Sequence, residues 1–257
     1  LFSPHSDEQA TLGRILVMAD AAHSIGASYQ GKINGSVTDL AVFSFHAVKN
    51  LTTAEGGAVC LNLPERFDVD EVYRLLNVKS LHGQSKDALA KAKAGGGNWR
   101  YDVVEPGYKC NMMDIQAAIG LVELGRYESN LNRRREIFAI YNQAFENEDL
   151  IIQPTFKSDK KESSYHLYMI RVKNATEAQR DEIINRIFEQ QVSVNVHFQP
   201  LPLLTAYKSR GFKMADYPMA FSKYQNEITL PVYFNLTDDN LNTITNAVIN
   251  AVNSVMC

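Results

Sequence analysis

Three short apolar runs mark the first part of the chain: Ile15 to Ala19, Leu40 to Phe45 and Ala58 to Leu61, each bounded by Gly, Asn or Asp. Runs of that length between turn formers predict strands of a buried mixed or parallel sheet. From Glu65 to Val78 the pattern changes period, with Phe67, Val69, Val72, Leu75 and Leu76 near one face of a helix. From Asp114 to about Glu146 helical spacing returns, carried by Ile115, Ala118, Ile119 and Val122. A pattern longer than ~25 residues invites a kink or a crossover between domains. The boundary is placed near Leu131, where an Ala-rich stretch gives way to Asn132-Arg133-Arg134-Arg135-Glu136, dividing the chain into 1–130 and 131–257.

The second part reads strand, helix, strand, loop, helix. Tyr165 to Val172 alternates as a strand, and Thr176-Glu177-Ala178-Gln179 has the capping-box form before a helix reaching Gln191. Val192 to Phe198 reads as a further strand. Thr237-Asp238-Asp239 opens a last helix through Val255, with an N-cap and dipole-favoured acids, and with Leu241, Ile244, Val248, Ile249 and Val252 at helical spacing. The architecture expected is an α+β cap on an α/β core.

Composition narrows the class without naming it. With 257 residues, 45% hydrophobic and 21% charged, the chain can bury a sizeable core in two domains. No apolar run approaches the roughly 20 residues that cross a bilayer, so no membrane partner is expected. The net charge of −3, with both signs mixed along the chain, leaves no footprint for nucleic acid. Three cysteines, Cys60, Cys110 and Cys257, are odd in number and lack metal-ligand spacing. Free thiols in a reducing, cytoplasmic setting are expected, with no metal.

The chemistry concentrates around Lys49. It closes Ser44-Phe45-His46-Ala47-Val48-Lys49, precedes Thr52-Thr53-Ala54-Glu55-Gly56-Gly57, and lies 29 residues beyond Asp20, which ends the first apolar run and opens Asp20-Ala21-Ala22-His23. A lone Lys or Asp at a strand end is ordinarily solvated surface, a cap or a turn former. The combination of carboxylate, lysine and serine is what pyridoxal phosphate chemistry needs. A lysine amine bonds the cofactor aldehyde and carries a proton. A carboxylate keeps the pyridine nitrogen protonated, a role that falls to Asp20. A hydroxyl such as Ser44, with backbone N–H groups, holds the phosphate. His23 is placed to pack on the ring or bond its phenolic oxygen.

These residues resemble the DegT/DnrJ/EryC1/StrS sugar aminotransferases, whose pattern is Asp-x-Ala-His/Gln, then Ser-Phe-x-x-x-Lys, then Glu-Gly-Gly. The likeness is closest to the branch that aminates 4-keto nucleotide sugars, typified by UDP-4-amino-4-deoxy-arabinose. It implies a pyridoxal 5'-phosphate-dependent transferase of the type I, aspartate aminotransferase-like fold, with Ala22 joining Asp20, His23, Ser44 and Lys49 at the cofactor. Pro106 to Gly120 is similar to the family block Gly-Tyr-x-x-x-Leu/Met-x-Asp-Ile-x-Ala-Ala, which reaches the neighbouring subunit's cofactor. That implies a homodimer with shared sites and makes Lys109 and Asn111 phosphate-side residues, although many members carry Asn and Arg there. Ser164 to Tyr168, Val196 to Leu201 and Thr229 to Val232 also resemble family blocks, and on that basis His197 is substrate-side. Pro202 stands where a second His often follows the Pro-Leu pair. The family normally begins with a longer N-terminal part bearing a phosphate loop, so the chain is expected to be a partial large domain plus an α+β C-terminal small domain.

The activity implied is transfer of an amino group, from glutamate, to a keto nucleotide-sugar for cell-surface polysaccharide or deoxyaminosugar synthesis. A cofactor-dependent sugar dehydratase is the alternative on the same fold, against which Lys49 argues because those relatives carry His there. A noncatalytic fragment is the other alternative. Lys86 to Asn98, ending in Gly95-Gly96-Gly97, reads either as a mobile surface loop or as a hairpin that orders over the partner's site. His82, just before it, is placed to line that site. His46 reads equally as a cofactor neighbour or as a histidine packed behind the strand, His166 as a satisfied structural histidine, Arg133 to Arg135 as a solvated helix face, Trp99 and Arg100 as a weak clamp for a base or sugar, and Glu55 as a turn former.

Overall fold

Where the first strand begins is decided by a side chain, the carboxylate of Asp39. In the computed structural model, which describes residues 2–85 and 100–257, Asp39 is buried and accepts from Arg14 Nη1 at 2.6 Å and from the backbone N–H of Val17 at 2.8 Å. That N–H is therefore unavailable to a strand ladder. Strand β1 spans only Met18–Asp20, and Ile15 and Val17, expected within it, lie outside with 70% and 50% of their surface exposed. The chain then forms a two-residue-per-strand hairpin, β2 (Ser28–Tyr29) with β3 (Lys32–Ile33), and returns as β4 (Leu40–Ser44) and β5 (Gly57–Leu61).

The sheet order is β1-β4-β5, with β1 parallel to β4 and β4 antiparallel to β5. Ala41 and Phe43 point to one side and join Ala21, Ile25, Phe45 and Cys60 in a small core. The other side carries Met18, Val42 and Val59, all more than a third exposed. Expected as buried, this sheet buries one face. Beside the open face runs α2 (Val69–Ser80), capped by the Asp68 carboxylate and four residues shorter at its start than the periodicity predicts. Val72 and Leu76 of α2 line, with Met18, Val42 and Val59, an apolar groove of about 690 Å³.

The long helical pattern breaks as its length foretold. The helix α3 (Asp114–Gly125) ends at Arg126, and α4 (Tyr127–Ala144) begins at once. Compactness divides the chain into units Leu1–Tyr127 and Glu128–Cys257, three residues before the expected division between 130 and 131. In α3 no side chain is buried, and Ile115, Leu121 and Val122 are each about seven-tenths exposed.

In the second unit an antiparallel sheet, order β6-β8-β9, comprises Ile151–Ile152, Tyr168–Val172 and Glu227–Leu230, while β7 is the short Lys161–Glu162. The helices α5 (Glu177–Glu189) and α8 (Asp238–Met256) pack on each other, each opened by the expected Thr side-chain cap with its capping box. Between them lie the short α6 (Thr205–Lys208) and α7 (Pro218–Tyr224). Tyr168, Ile170 and Val172 of β8 are fully buried, as are Tyr141, Ile183, Ile187, Ile228 and Leu241. Phe138 meets Phe156, Tyr165 and Tyr168 edge-on at centroid distances of 5.3, 5.0 and 4.9 Å, the geometry aromatic rings prefer.

The strand expected over Val192 to Phe198 does not form. Only Asn195 bridges Thr229. The following N–H groups go to side chains instead, Val196 to Asn195 Oδ1 at 2.8 Å and His197 to Glu227 Oε2 at 2.9 Å. Likewise the strand expected from Tyr165 starts at Tyr168, because Tyr165 takes a positive φ of 55° and donates its N–H to the Ser163 hydroxyl.

Candidate functional site

Parallel strands end at the same edge of their sheet, and that fact assembles the site. Asp20 is the last residue of β1 and pairs with Val42, while Ser44, the last residue of β4, lies two positions further on and on the same face. Two residues of strand advance about 6.6 Å, so the carboxylate and the hydroxyl stand as near neighbours. The Asp20 carboxylate accepts the N–H of Ala22 at 3.2 Å, which folds Ala22 and the partly buried His23 back beside it. Ala21 between them is fully buried, fixing the turn to the core.

Beyond Ser44 the chain makes a closed loop that carries Lys49. The Ser44 hydroxyl accepts from the N–H of His46 at 3.3 Å, and Lys49 N–H donates to the His46 carbonyl at 2.9 Å. Thr53 N–H returns to the Phe45 carbonyl at 2.9 Å, and buried Asn50 and Leu51 anchor the base. Lys49 is thereby held partly buried at the strand edge. Gly57 permits the re-entry: a Cβ there would sit 2.6 Å from the Phe43 carbonyl oxygen, a backbone atom that cannot give way. Glu55 does shape this turn, since its carbonyl accepts from Thr53 Oγ1 and from Gln116 Nε2, both at 2.8 Å, while its carboxylate lies 3.5 Å from His46.

Gln116 brings the second family-like block to the same turn. The block itself hydrogen-bonds to the end of α2: Tyr108 N–H to the Lys79 carbonyl at 2.7 Å, His82 N–H to the Tyr108 carbonyl at 2.8 Å, and Cys110 N–H to the Ser80 carbonyl at 2.9 Å. Gly83, at φ 76°, lets the two segments touch, because a Cβ there would overlap the Glu105 carbonyl. His82 therefore sits beside Tyr108. Lys109 and Asn111 are exposed and directly bonded, ammonium to amide oxygen. Lys86 to Asn98 and Trp99 lie outside the described residues.

His197 belongs to the second unit. It lines a groove of about 570 Å³ together with Met169, Arg171, Phe198, Lys223 and Glu227. Sequence reasoning missed Arg171 and Glu227 as groove residues, and Thr229 as the partner of His197 Nδ1. A signal existed, since alternation along Tyr168–Val172 turns Met169 and Arg171 away from the core. Arg133 and Arg134 are not a solvated face: Arg134 is buried and donates to the Tyr165 carbonyl, and Arg133 bonds Asp238 and Glu136. Among the described residues there is no cluster of three metal-ligating side chains, and no helix is long and apolar enough to cross a membrane.

A carboxylate and a hydroxyl at the carboxyl ends of adjacent parallel strands, with a lysine in the next loop, define an α/β protein that works at its strand termini. The chain belongs to the DegT/DnrJ/EryC1/StrS aminotransferase family, which it matches over residues 7–249. The spore coat polysaccharide biosynthesis protein SpsC of Bacillus subtilis is 36% identical over 237 residues, 91% of this chain and 59% of that protein. A Campylobacter jejuni UDP-4-amino-4,6-dideoxy-N-acetyl-beta-L-altrosamine transaminase is 34% identical over 209 residues, covering 80% and 51% of the two chains. Spr1654 of Streptococcus pneumoniae, a candidate sugar aminotransferase solved in its PMP form, superposes with a TM-score of 0.92 at 44% identity, over 99% of this chain and 63% of that one. The same protein is solved in a PLP form. The fold is that of the type I pyridoxal phosphate-dependent transferases, and the chain spans about three-fifths of these relatives' length.

Proposed function

We propose that this chain carries the lysine-bearing half of a pyridoxal 5'-phosphate-dependent aminotransferase that moves an amino group from glutamate to the keto carbon of a nucleotide-linked deoxysugar. The observation that carries this is the convergence of Asp20, Ser44 and Lys49 at one edge of the β1-β4 pair. The residues fit the cofactor chemically: an anion for a ring nitrogen, a hydroxyl and a turn N–H for a phosphate, and a partly buried amine for an aldehyde. When bound, pyridoxal phosphate supplies an aldehyde that accepts the amino group and a ring that draws off charge from the adjacent carbon. Lys49 Nζ would hold the group at its aldehyde carbon and, when released, would carry a proton at the substrate carbon. Asp20 would hold a proton on the ring nitrogen. Ser44 would hold the phosphate, and His23 would pack at the ring.

In this reading residues 1–130 are the C-terminal part of a large cofactor-binding domain and 131–257 a small domain. His82 and His197 meet the sugar substrate, and Lys109 with Asn111 reaches the phosphate of a second subunit in a cytoplasmic homodimer. The names of SpsC and of the Campylobacter jejuni transaminase support polysaccharide and nucleotide aminosugar synthesis as the setting. In the longer protein, Lys49→Ala should abolish both cofactor absorbance near the visible edge and turnover on a nucleotide-sugar panel, whereas Asp20→Asn keeps the cofactor and slows chemistry by at least ~100-fold. Turnover surviving Lys49→Ala overturns the proposal.

A further inference from the structure

Beneath the groove of the second unit lies a continuous line of hydrogen bonds that ends on His197. Glu227 and Thr229 are both on β9, two residues apart and so on one face, and both are nearly fully buried. The Glu227 carboxylate accepts at both oxygens, from the backbone N–H of His197 at 2.9 Å and from the Thr229 hydroxyl at 2.5 Å. The Thr229 oxygen in turn lies 2.9 Å from His197 Nδ1. A hydroxyl has a single proton. Once that proton is given to Glu227, the only remaining part Thr229 can play toward the imidazole is acceptor, so the proton of this bond must come from Nδ1.

The opposite arrangement needs a protonated Glu227 that donates to Thr229, which would then donate to a bare Nδ1. Two groups oppose that. The backbone N–H of His197 has a fixed direction and donates to the carboxylate whatever the pH, and the guanidinium of Arg180, with a side chain 2% exposed, adds positive potential nearby. Burial pulls the other way and, as the largest influence, leaves the Glu227 carboxyl raised above its ordinary value, with the Thr229 and His197 hydrogen bonds and Arg180 offsetting only part of it. Both carboxylate oxygens already accept, a pattern that suits the anion.

From this geometry we infer that Thr229 and Glu227 are positioning residues that hold neutral His197 with its proton on Nδ1 and leave Nε2 as a hydrogen-bond acceptor. In that tautomer Nε2 pairs with groups that donate, such as a sugar hydroxyl or an amine, and not with a carbonyl or phosphate oxygen. Arg171 and Lys223, which line the same groove, serve acceptors instead. A ligand carrying a hydroxyl beside an anionic group is complementary to this division. The inference deepens the reading of His197 as substrate-side, yet its test does not depend on turnover.

The test is nitrogen NMR of the protein labelled with ¹⁵N at its six histidines, recorded near pH 8, where an ordinary imidazole is neutral. His197 is assigned by the signals that vanish in His197→Gln. The expected result is a one-bond N–H coupling on Nδ1 alone. In Thr229→Val the coupling should shift largely to Nε2, and in Thr229→Ser it should return to Nδ1. A proton on Nε2 of the unaltered protein, alone or together with one on Nδ1, overturns the inference. So does a Thr229→Val spectrum that keeps the Nδ1 proton. Should Thr229→Val fail to fold, the unaltered protein and Thr229→Ser still decide the matter. Absence of nucleotide-sugar turnover by the unaltered longer protein, with the Nδ1 coupling present, would count against the proposed function and leave the proton assignment standing.

Discussion

The two units solve the same packing problem unequally. The second closes a core from its own residues, with Phe138, Tyr141, Tyr168, Ile187 and Val248 each at most 1% exposed. The first folds its sheet over only a handful of apolar side chains, and leaves Met18, Val42 and Val59 open on one face and Ile115, Leu121 and Val122 open along α3. Large exposed apolar areas in a folded unit mark surfaces that meet something else. The difference teaches that the unit bearing the lysine has little apolar surface buried by its own residues, whereas the other unit stands on internal contacts.

That contrast can be broken by substitution. The largest effect should come from Phe138→Ala, which removes a buried ring and three edge contacts and should cost about 3–5 kcal/mol in chemical denaturation. A cost below about 1 kcal/mol would mean that the second unit is far looser than its burial implies. Next, Arg180→Met strips the Tyr224 carbonyl of its 2.9 Å donor and ends the stacking on the Tyr224 ring at 4.7 Å. The expected loss is about 2–3 kcal/mol.

In the first unit one tie is polar and depends on pH. The Arg14 guanidinium holds the Asp39 carboxyl down to about 2, from an ordinary 3.8. A lowered carboxyl stabilises the fold above its unfolded value and loses that contribution as pH falls from about 4 through 2. Asp39→Asn should therefore cost about 1–2 kcal/mol at pH 7, reduced because the Arg14 side chain is half exposed, and almost nothing at pH 2. Urea melts at the two pH values check this, and an equal cost at both would sink the ion-pair explanation. The smallest effect is Val59→Thr on the open sheet face, within about 0.5 kcal/mol in the 257-residue chain. A cost above about 1 kcal/mol for the same change in a polypeptide of the relatives' length would show that this face is covered there.

The sequence made some of this legible and hid the rest for identifiable reasons. Leu40 to Phe45 and Ala58 to Leu61 became strands nearly as spaced, since short apolar runs between turn residues have few other uses. The helix caps at Thr176 and Thr237 were readable because a cap acts on its own next turn. Asp20, Ser44 and Lys49 could be linked by their motif, but their shared edge depends on the parallel register of β1 and β4, which no local pattern encodes. Ile15 to Val17 and Val192 to Phe198 misled because distant carboxylates, Asp39 and Glu227, take backbone N–H groups that a ladder would need. The role of Arg134 was hidden likewise, its acceptors lying some thirty residues away.

The hairpin between β1 and β4 has a bearing on how such sites persist as sequences diverge. A return path from the end of one strand to the start of its parallel neighbour lies outside the sheet, and here it is built from turns and a hairpin whose tip, Gln30-Gly31, is exposed, with open space around Gly31. Residues gained or lost at that tip lengthen or shorten the detour without moving the ends of β1 and β4. The number of residues separating Asp20 from Lys49 is then free to drift while the distance between their side chains is not. Descendants of this site would be recognised better by strand ends in parallel register than by any count along the chain.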